Sequence, residues 1–457
     1  LIAFLAILSS LQPGIESSAS LAKQEQIGFV STDFSPRVVP IDQQESVSFY
    51  AHLTGNPTRV VLEYNQPLFE SELELFDDGF GADITAGDRV YSGSIPAEQI
   101  TSILNSNDVF RPFIGFLNLF DGSSSVGRGN IFAEVLTPDI PSYSLFPLAQ
   151  DVQYTDHLVN IVDPFFFTNS GINFIQVTQR FYQFFADEYD FINIIALPSF
   201  FENRFHFQVK NDVLGIGLNI FDDSFKYGSF GKLKGISMFP NTVFHDGASE
   251  GFQHELGHQW INFLTDTPFE SGIAHWPFSS TASGIMGFSI PPTGQGGDFK
   301  CNLVQQGDQV ILERRDDSPE YSDMDLYLMG LLPPDQVGTQ FIFPDQSFEA
   351  HDEILSNCDG QPYFGELIRV EIEDVISVHG PRIPAASAPQ TFKVATIIVS
   401  QDGLLSADAM DFYTYFSQRA ELQEMVPFQE GFLQGLAKPF FISTRGLGMI
   451  DTRVAPF

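Results

Sequence analysis

His254, Glu255 and His258 stand in the run GFQHELGHQWINFLT, residues 251 to 265, as an HExxH pattern. On a helix, residues four apart project from one face about a turn apart, so both imidazoles can reach the same ion. Glu255 falls about 100° round the helix from His254, off the ligand face but close enough to take a proton from a water held there. The chemistry that these residue types support at this spacing is zinc-assisted hydrolysis. With only 9 histidines in 457 residues, an accidental match is rare. Phe252, Leu256, Trp260, Phe263 and Leu264 recur at i, i+4, i+8, i+11 and i+12, which predicts a helix through the whole segment with its apolar stripe opposite the histidines. Gly257 costs about 1 kcal/mol against Ala inside a helix, so its presence predicts that another backbone passes close to this turn.

A catalytic zinc needs a third protein ligand and an open position. His275, in GIAHWPF, is the leading candidate because imidazole is the commonest partner of a His pair. Asp325, in YSDMDLYLMGL, comes second, and Glu270, in PFESG, third. Neither of the first two matches the compact HExxHxxGxxH spacing. Met286 in SGIMG and Met329 in LYLMG are candidates for an apolar floor under the ion, although methionine more often fills a core. Tyr327 and Tyr321 are candidate donors to a developing oxyanion, although tyrosines near a helix usually pack.

The elements that must position these residues fall into two units. Residues 27 to 140 read as an all-β domain. VSFYAHL, TRVVLEY, SELELF, RVYSGSI, FIGFLNLF and NIFAEVL are short β-rich runs separated by turn residues, as in a sandwich. The Gly-rich loop DDGFGADITAGD concentrates Asp77, Asp78, Asp83 and Asp88, oxygen ligands dense enough to hold Ca²⁺. Their spacing is not that of an EF-hand, and the favoured reading is of aspartates capping a turn. PDIP at 138 to 141 reads as a linker.

From about 146 the pattern alternates. INFIQVTQRFYQFFADEY (172 to 189) predicts a helix, DFINIIALP a buried strand, and RFHFQVK, GIGLNIF and LKGISMF further strands before the HExxH helix. After 366, ELIRVEIEDVISV and TFKVATIIVS predict strands and SADAMDFYTYFSQRAELQEM a helix. The expected architecture is α+β: a domain over 146–457, with 366–457 as its C-terminal subdomain, behind a sandwich over 23–145.

Composition narrows the setting. An apolar share of 43% and a charged share of 18% are those of a globular chain. A net charge of -36 with a pI near 4.3 opposes binding to phosphate backbones, so nucleic acid is excluded as an expected partner. Residues 1–22, with the apolar run LIAFLAILSS and the small residues Ser20 and Ala22 before a cut, read as a secretory signal truncated at its start. The run is well short of the roughly 20 residues that span a bilayer. The expectation is a secreted protein, extracellular or periplasmic, with no membrane span. Cys301 and Cys358 then form one disulfide, or else remain two buried thiols.

Taken together, HELGHQW, AHWPFSS with SGIMG, and YSDMDLYLMGLLPPDQV resemble the signatures of secreted bacterial zincin-like metallopeptidases. LFDDGFGADITAGDRVYSGSIP is similar to the Ig-like β-sandwich module that often precedes such domains. The resemblance covers most of the chain. It implies a zincin-like α+β peptidase domain, zinc as cofactor, His254 and His258 as ligands, Glu255 as general base, and a protein or peptide substrate. It also implies that residues 233 to 239 form the edge strand on which an extended substrate lies. In the third ligand the chain departs from the better-known zincins, since it has neither the metzincin histidine nor a glutamate at the usual gluzincin distance. Two rival functions share the motif. One is a secreted binding or adhesion protein whose zinc is structural and closed by four protein ligands; the other is a zinc hydrolase of another amide or ester.

Overall fold

The computed structural model describes residues 26–457 apart from 43–44, 65–70, 102–112, 169–170, 198–202, 242, 272–273, 291–294, 402 and 431–432. The signal read at 1–22, with Ser20 and Ala22, lies outside the described residues.

In the N-terminal part, period-two alternation sorts side chains to two faces. Along Val47–Thr54, Val47, Phe49, Ala51 and Leu53 are buried while the residues between them face outward. This strand pairs antiparallel with Gly28–Ser35 and Val90–Ile95. A second sheet runs in the order Val38–Pro40, Ser124–Leu136, Phe113–Asp121, Arg59–Tyr64, Ser71–Leu75. Phe49 and Leu53 from the first sheet and Leu62, Phe113 and Leu117 from the second share one core, so the two sheets pack face to face. All six runs singled out in the sequence lie on these strands.

The second unit is organised by Phe191–Leu197, whose seven residues are all buried. A strand covered on both faces is apolar throughout instead of alternating. It pairs parallel with Gly235–Pro240 on one side and Gln390–Ser400 on the other, and Leu158–Val162 extends the parallel run. Antiparallel strands close the edges: Phe205–Gln208 lies against Gly235–Pro240, and Val152–Thr155 with Phe146–Ala149 lie beyond Leu158–Val162. Phe191 and Ile195 pack on one face with Phe252, Leu256 and Trp260. Ile192 and Ile194 pack on the other with Val177 and Phe181. The sheet therefore holds the HExxH helix against one face and the helix Phe174–Phe181 against the other. Gln390–Ser400, from the C-terminal stretch, lies inside this sheet.

The expected α+β architecture, a zincin-like domain behind an all-β Ig-like sandwich, is corrected by the structure. Strands take 38% and helices 19%, and the strands are spread over nine sheets among the described residues. The longest of the described helices, Ala407–Gln418, has 12 residues. The physical reason is in the punctuation. With 37 glycines and 28 prolines interrupting short apolar runs rich in Phe, few stretches are long enough to repay helix nucleation, and the runs close ladders instead.

Particular segments show the same effect. The helix expected over 172–189 stops at Phe181, after which Phe185 stacks on Phe181 at 4.6 Å and bridges Pro456. GIGLNIF bends and stays irregular up to Phe221, because Gly215 and Gly217 sit at φ of 80° and 79° with the carbonyls of Pro381 and Phe263 where a Cβ would stand. ELIRVEIEDVISV divides into the strand Ile368–Val370 and the helix Ile372–His379, started by a capping box between Glu371 and Asp374. The stretch 233–239, expected at the sheet edge, is interior. Gly235–Pro240 is covered by Phe205–Gln208, which takes the edge instead. Cys301 and Cys358 are joined as a disulfide.

Candidate metal centre

Ser249 starts the HExxH helix by accepting a hydrogen bond from the Phe252 amide, and the helix runs Glu250–Gly257. It is shorter than the 15-residue segment predicted. His258 is its C-cap and keeps helical dihedrals of -60° and -10°, so the i, i+4 relation with His254 survives. Beyond it the chain turns, and Trp260 and Leu264 reach the core from non-helical backbone.

Three imidazoles converge. His254 Nε2 lies 3.2 Å from His258 Nε2 and 3.2 Å from His275 Nε2. His254 Nδ1 lies 2.8 Å from the Ile285 carbonyl and His258 Nδ1 lies 3.3 Å from the Ile261 carbonyl. A carbonyl only accepts, so both Nδ1 atoms carry the proton and both Nε2 atoms present lone pairs. Burial lowers the pKa of all three rings, that of His254 to about 3 with His275 adding to the effect, so they stay neutral. Lone pairs facing one another at this range repel unless a cation lies between them. Zn–N bonds of about 2.0–2.1 Å at tetrahedral angles place ligand nitrogens about 3.3 Å apart, so the donor set fits zinc.

His275 reaches the pair from a loop that is fixed at several points. Its carbonyl accepts from Ser271 Oγ at 2.6 Å and from Asn262 Nδ2 at 3.2 Å. Its neighbour Trp276 is fully buried and donates from Nε1 to Asp325 Oδ1 at 2.8 Å. Asp325 is therefore spoken for. It is buried, holds Trp276, and forms a capping box with Ser322 at the start of the helix Asp323–Met329. Its carboxylate belongs to the support of the His275 loop and stands outside the histidine cluster. Glu270 is exposed and accepts from the Asp266 amide.

Beneath the helix lies Met286. A Cβ on Gly257 would stand 2.3 Å from Met286 Sδ and 3.4 Å from Tyr321 Cε1. The glycine thus makes room for a methionine side chain, where the sequence had suggested a passing backbone. Met329 is buried in the core. The tyrosines point elsewhere: Tyr327 Oη accepts from the Arg382 amide at 3.0 Å, and Tyr321 Oη donates to the Gln253 carbonyl at 2.6 Å. Tyr321 thus spends its proton on a carbonyl, and neither tyrosine is among the described residues that line the cleft faced by His254 and His275.

Glu255 is buried, and Arg204 Nε donates to its Oε1 at 3.1 Å. Burial raises its carboxyl to about 7, with Arg204 opposing the shift. His254 and His275 face a cleft of about 550 Å³, lined also by Arg204, Glu250, Met286, Ser289 and Asp298. Sequence reasoning missed Arg204, Asn262 and the Ile285 carbonyl, which are distant in sequence and carry no motif. One local signal was available, Gly251 in the first turn of a helix where glycine is disfavoured.

In the N-terminal loop, carboxylate oxygens of Asp77, Asp83 and Asp88 come within 4.8 Å of one another. Asp77 accepts from the amides of Gly87, Asp88 and Arg89, Asp83 from Gly79 and Thr85, and Asp88 from Val90. Asp78 accepts from Phe80 and stands outside the trio. All four aspartates cap turns here. Among the described residues no helix is long and apolar enough to cross a membrane. No protein-family model matches the chain, and no curated protein shows detectable similarity to it.

Proposed function

We propose that this chain is an exported zinc-dependent peptidase, with His254, His258 and His275 as metal ligands and Glu255 as the proton carrier. The observation that carries the reading is the convergence of three neutral Nε2 atoms at the wall of an open cleft, with the buried Glu255 carboxylate, next in sequence to His254, held by Arg204 of the same cleft. When bound, zinc supplies Lewis acidity, polarising a substrate carbonyl and bringing the pKa of water towards about 7. Glu255 accepts the proton of the attacking water and returns it to the leaving amine, acting as base and then acid. The Ile285 and Ile261 carbonyls keep two of the rings in the tautomer that offers Nε2. Phe205–Gln208, the edge strand next to Arg204, offers a ladder on which an extended peptide can lie, which favours a peptide over a compact ester. The disulfide supports an oxidising compartment.

A structural zinc would be closed by four protein ligands. Among the described residues the cluster comprises three, and it faces a cleft, which favours the catalytic reading. The test is cleavage of a mixed peptide library by the zinc-loaded chain beside Glu255→Gln. Cleavage by the wild type alone is expected. Equal turnover by both proteins would remove Glu255 from the mechanism, and zinc binding without cleavage by either would favour the binding-protein reading.

A further inference from the structure

Addition of water to a peptide carbonyl places negative charge on the carbonyl oxygen, and the two tyrosines expected to meet it are engaged elsewhere. Among the described residues lining the cleft with His254 and His275, Arg204 is the one Lys or Arg. Its Nε donates to Glu255, and neither Nη1 nor Nη2 donates a hydrogen bond among the described residues. About a third of its side chain is exposed, at 36%. A guanidinium held by one edge presents its remaining donors in a fixed fork. Gly251, one turn before Glu255 on the same helix, lies under this group. A Cβ there would stand 2.9 Å from Arg204 Nη1, 3.0 Å from Cζ and 3.3 Å from Nε. The glycine thus lets the guanidinium lie against the helix backbone between the first turn and the proton carrier.

We propose that Arg204 is a catalytic residue whose Nη1 and Nη2 donors hold the oxyanion formed on the substrate's carbonyl oxygen, and that Gly251 is the positioning residue that seats it. The inference rests on the peptidase reading above. As the water oxygen bonds to the carbonyl carbon, its proton passes to Glu255 and the π pair of the carbonyl moves onto oxygen beside Arg204. When the pair returns, the C–N bond breaks and the amine leaves with the proton from Glu255.

The test uses the zinc-loaded full chain, a quenched peptide for turnover, and a phosphinic peptide of the same sequence for binding by calorimetry, since its tetrahedral anion mimics the charged oxygen. Arg204→Ala should lower kcat about 10²- to 10³-fold, the usual effect of one oxyanion donor, with KM little changed. It should weaken phosphinic-peptide binding by a similar factor, also in the Glu255→Gln background, where an effect exerted only through Glu255 would vanish. Gly251→Ala should lower kcat in the wild-type background, because its Cβ displaces the guanidinium, and should be silent in Arg204→Ala. Undiminished phosphinic-peptide affinity in Arg204→Ala would overturn the assignment, as would an equal cost of Gly251→Ala in both backgrounds. If the wild type neither cleaves nor binds, the peptidase reading falls and takes this assignment with it; cleavage undiminished by Arg204→Ala overturns the assignment alone.

Discussion

Glu134 sits where the sandwich meets the second unit, and its removal gives a pH-dependent prediction. The carboxyl is buried at the end of Ser124–Leu136, takes the hydroxyl proton of Tyr413 from the helix Ala407–Gln418 on Oε1, and leaves Oε2 without a partner among the described residues. Burial raises its pKa from 4.5 to about 7, against the lowering effects of Tyr413 and Arg37. An acid raised in the folded state binds its proton more tightly when folded. Its full contribution is therefore present below the unfolded pKa and is lost as pH rises through the folded one. A shift of roughly 2.5 units corresponds to about 3 kcal/mol lost above pH 7, of which about 2.5 kcal/mol falls between pH 5 and pH 8. Glu134→Gln keeps an acceptor for Tyr413 and never ionises. The variant should gain about 2.5 kcal/mol on the wild type between pH 5 and pH 8. Urea unfolding followed by the fluorescence of Trp260 and Trp276, both in the second unit, measures this. Curves whose separation does not change with pH would refute the argument.

Three further outcomes are expected. His275→Ala should weaken zinc binding far more than Asp325→Asn, which keeps an acceptor for Trp276; the reverse order in a competitive metal titration would exchange their roles. Reducing Cys301–Cys358, which spans a separation of 57 residues, should cost about 4 kcal/mol by chain entropy and lower the melting temperature, and an unchanged value would show that the loop is held by other contacts. Gly257→Ala should destabilise by about 1–3 kcal/mol despite alanine's better helix propensity, because its Cβ meets Met286 Sδ; a more stable variant in thermal melts would show that Met286 moves aside freely.

How far the sequence could be read depended on the range of the interaction involved. The six N-terminal strands were legible because alternation and turn residues act within a few positions, and Phe191–Leu197 because an unbroken apolar run must be covered on both faces. The helices were overextended at Phe181 and Gly257. Apolar periodicity continued past both points, but Phe185, Trp260 and Leu264 satisfy it by packing from turns. The α+β expectation failed for the same reason, since periodicity shows which residues are buried without showing which backbone buries them. The place of 233–239 in the sheet was beyond local reading, because an edge is defined by what lies beside it and Phe205–Gln208 lies beside this strand.

The amino-acid sequence by itself determined the pairing of His254 with His258 and the offset of Glu255, because the 3.6-residue turn is a local property of the backbone. Tertiary structure decided the rest of the site. His275 joins the pair because Trp276 is anchored on Asp325, and the same contact removes Asp325 from the candidates for ligand. Met286 fills the gap at Gly257, and Arg204 crosses from the sheet edge to lie over Gly251 and bind Glu255. Each of these contacts joins segments tens of residues apart. Their geometry follows from how buried side chains fill space, which residue types and spacing do not specify.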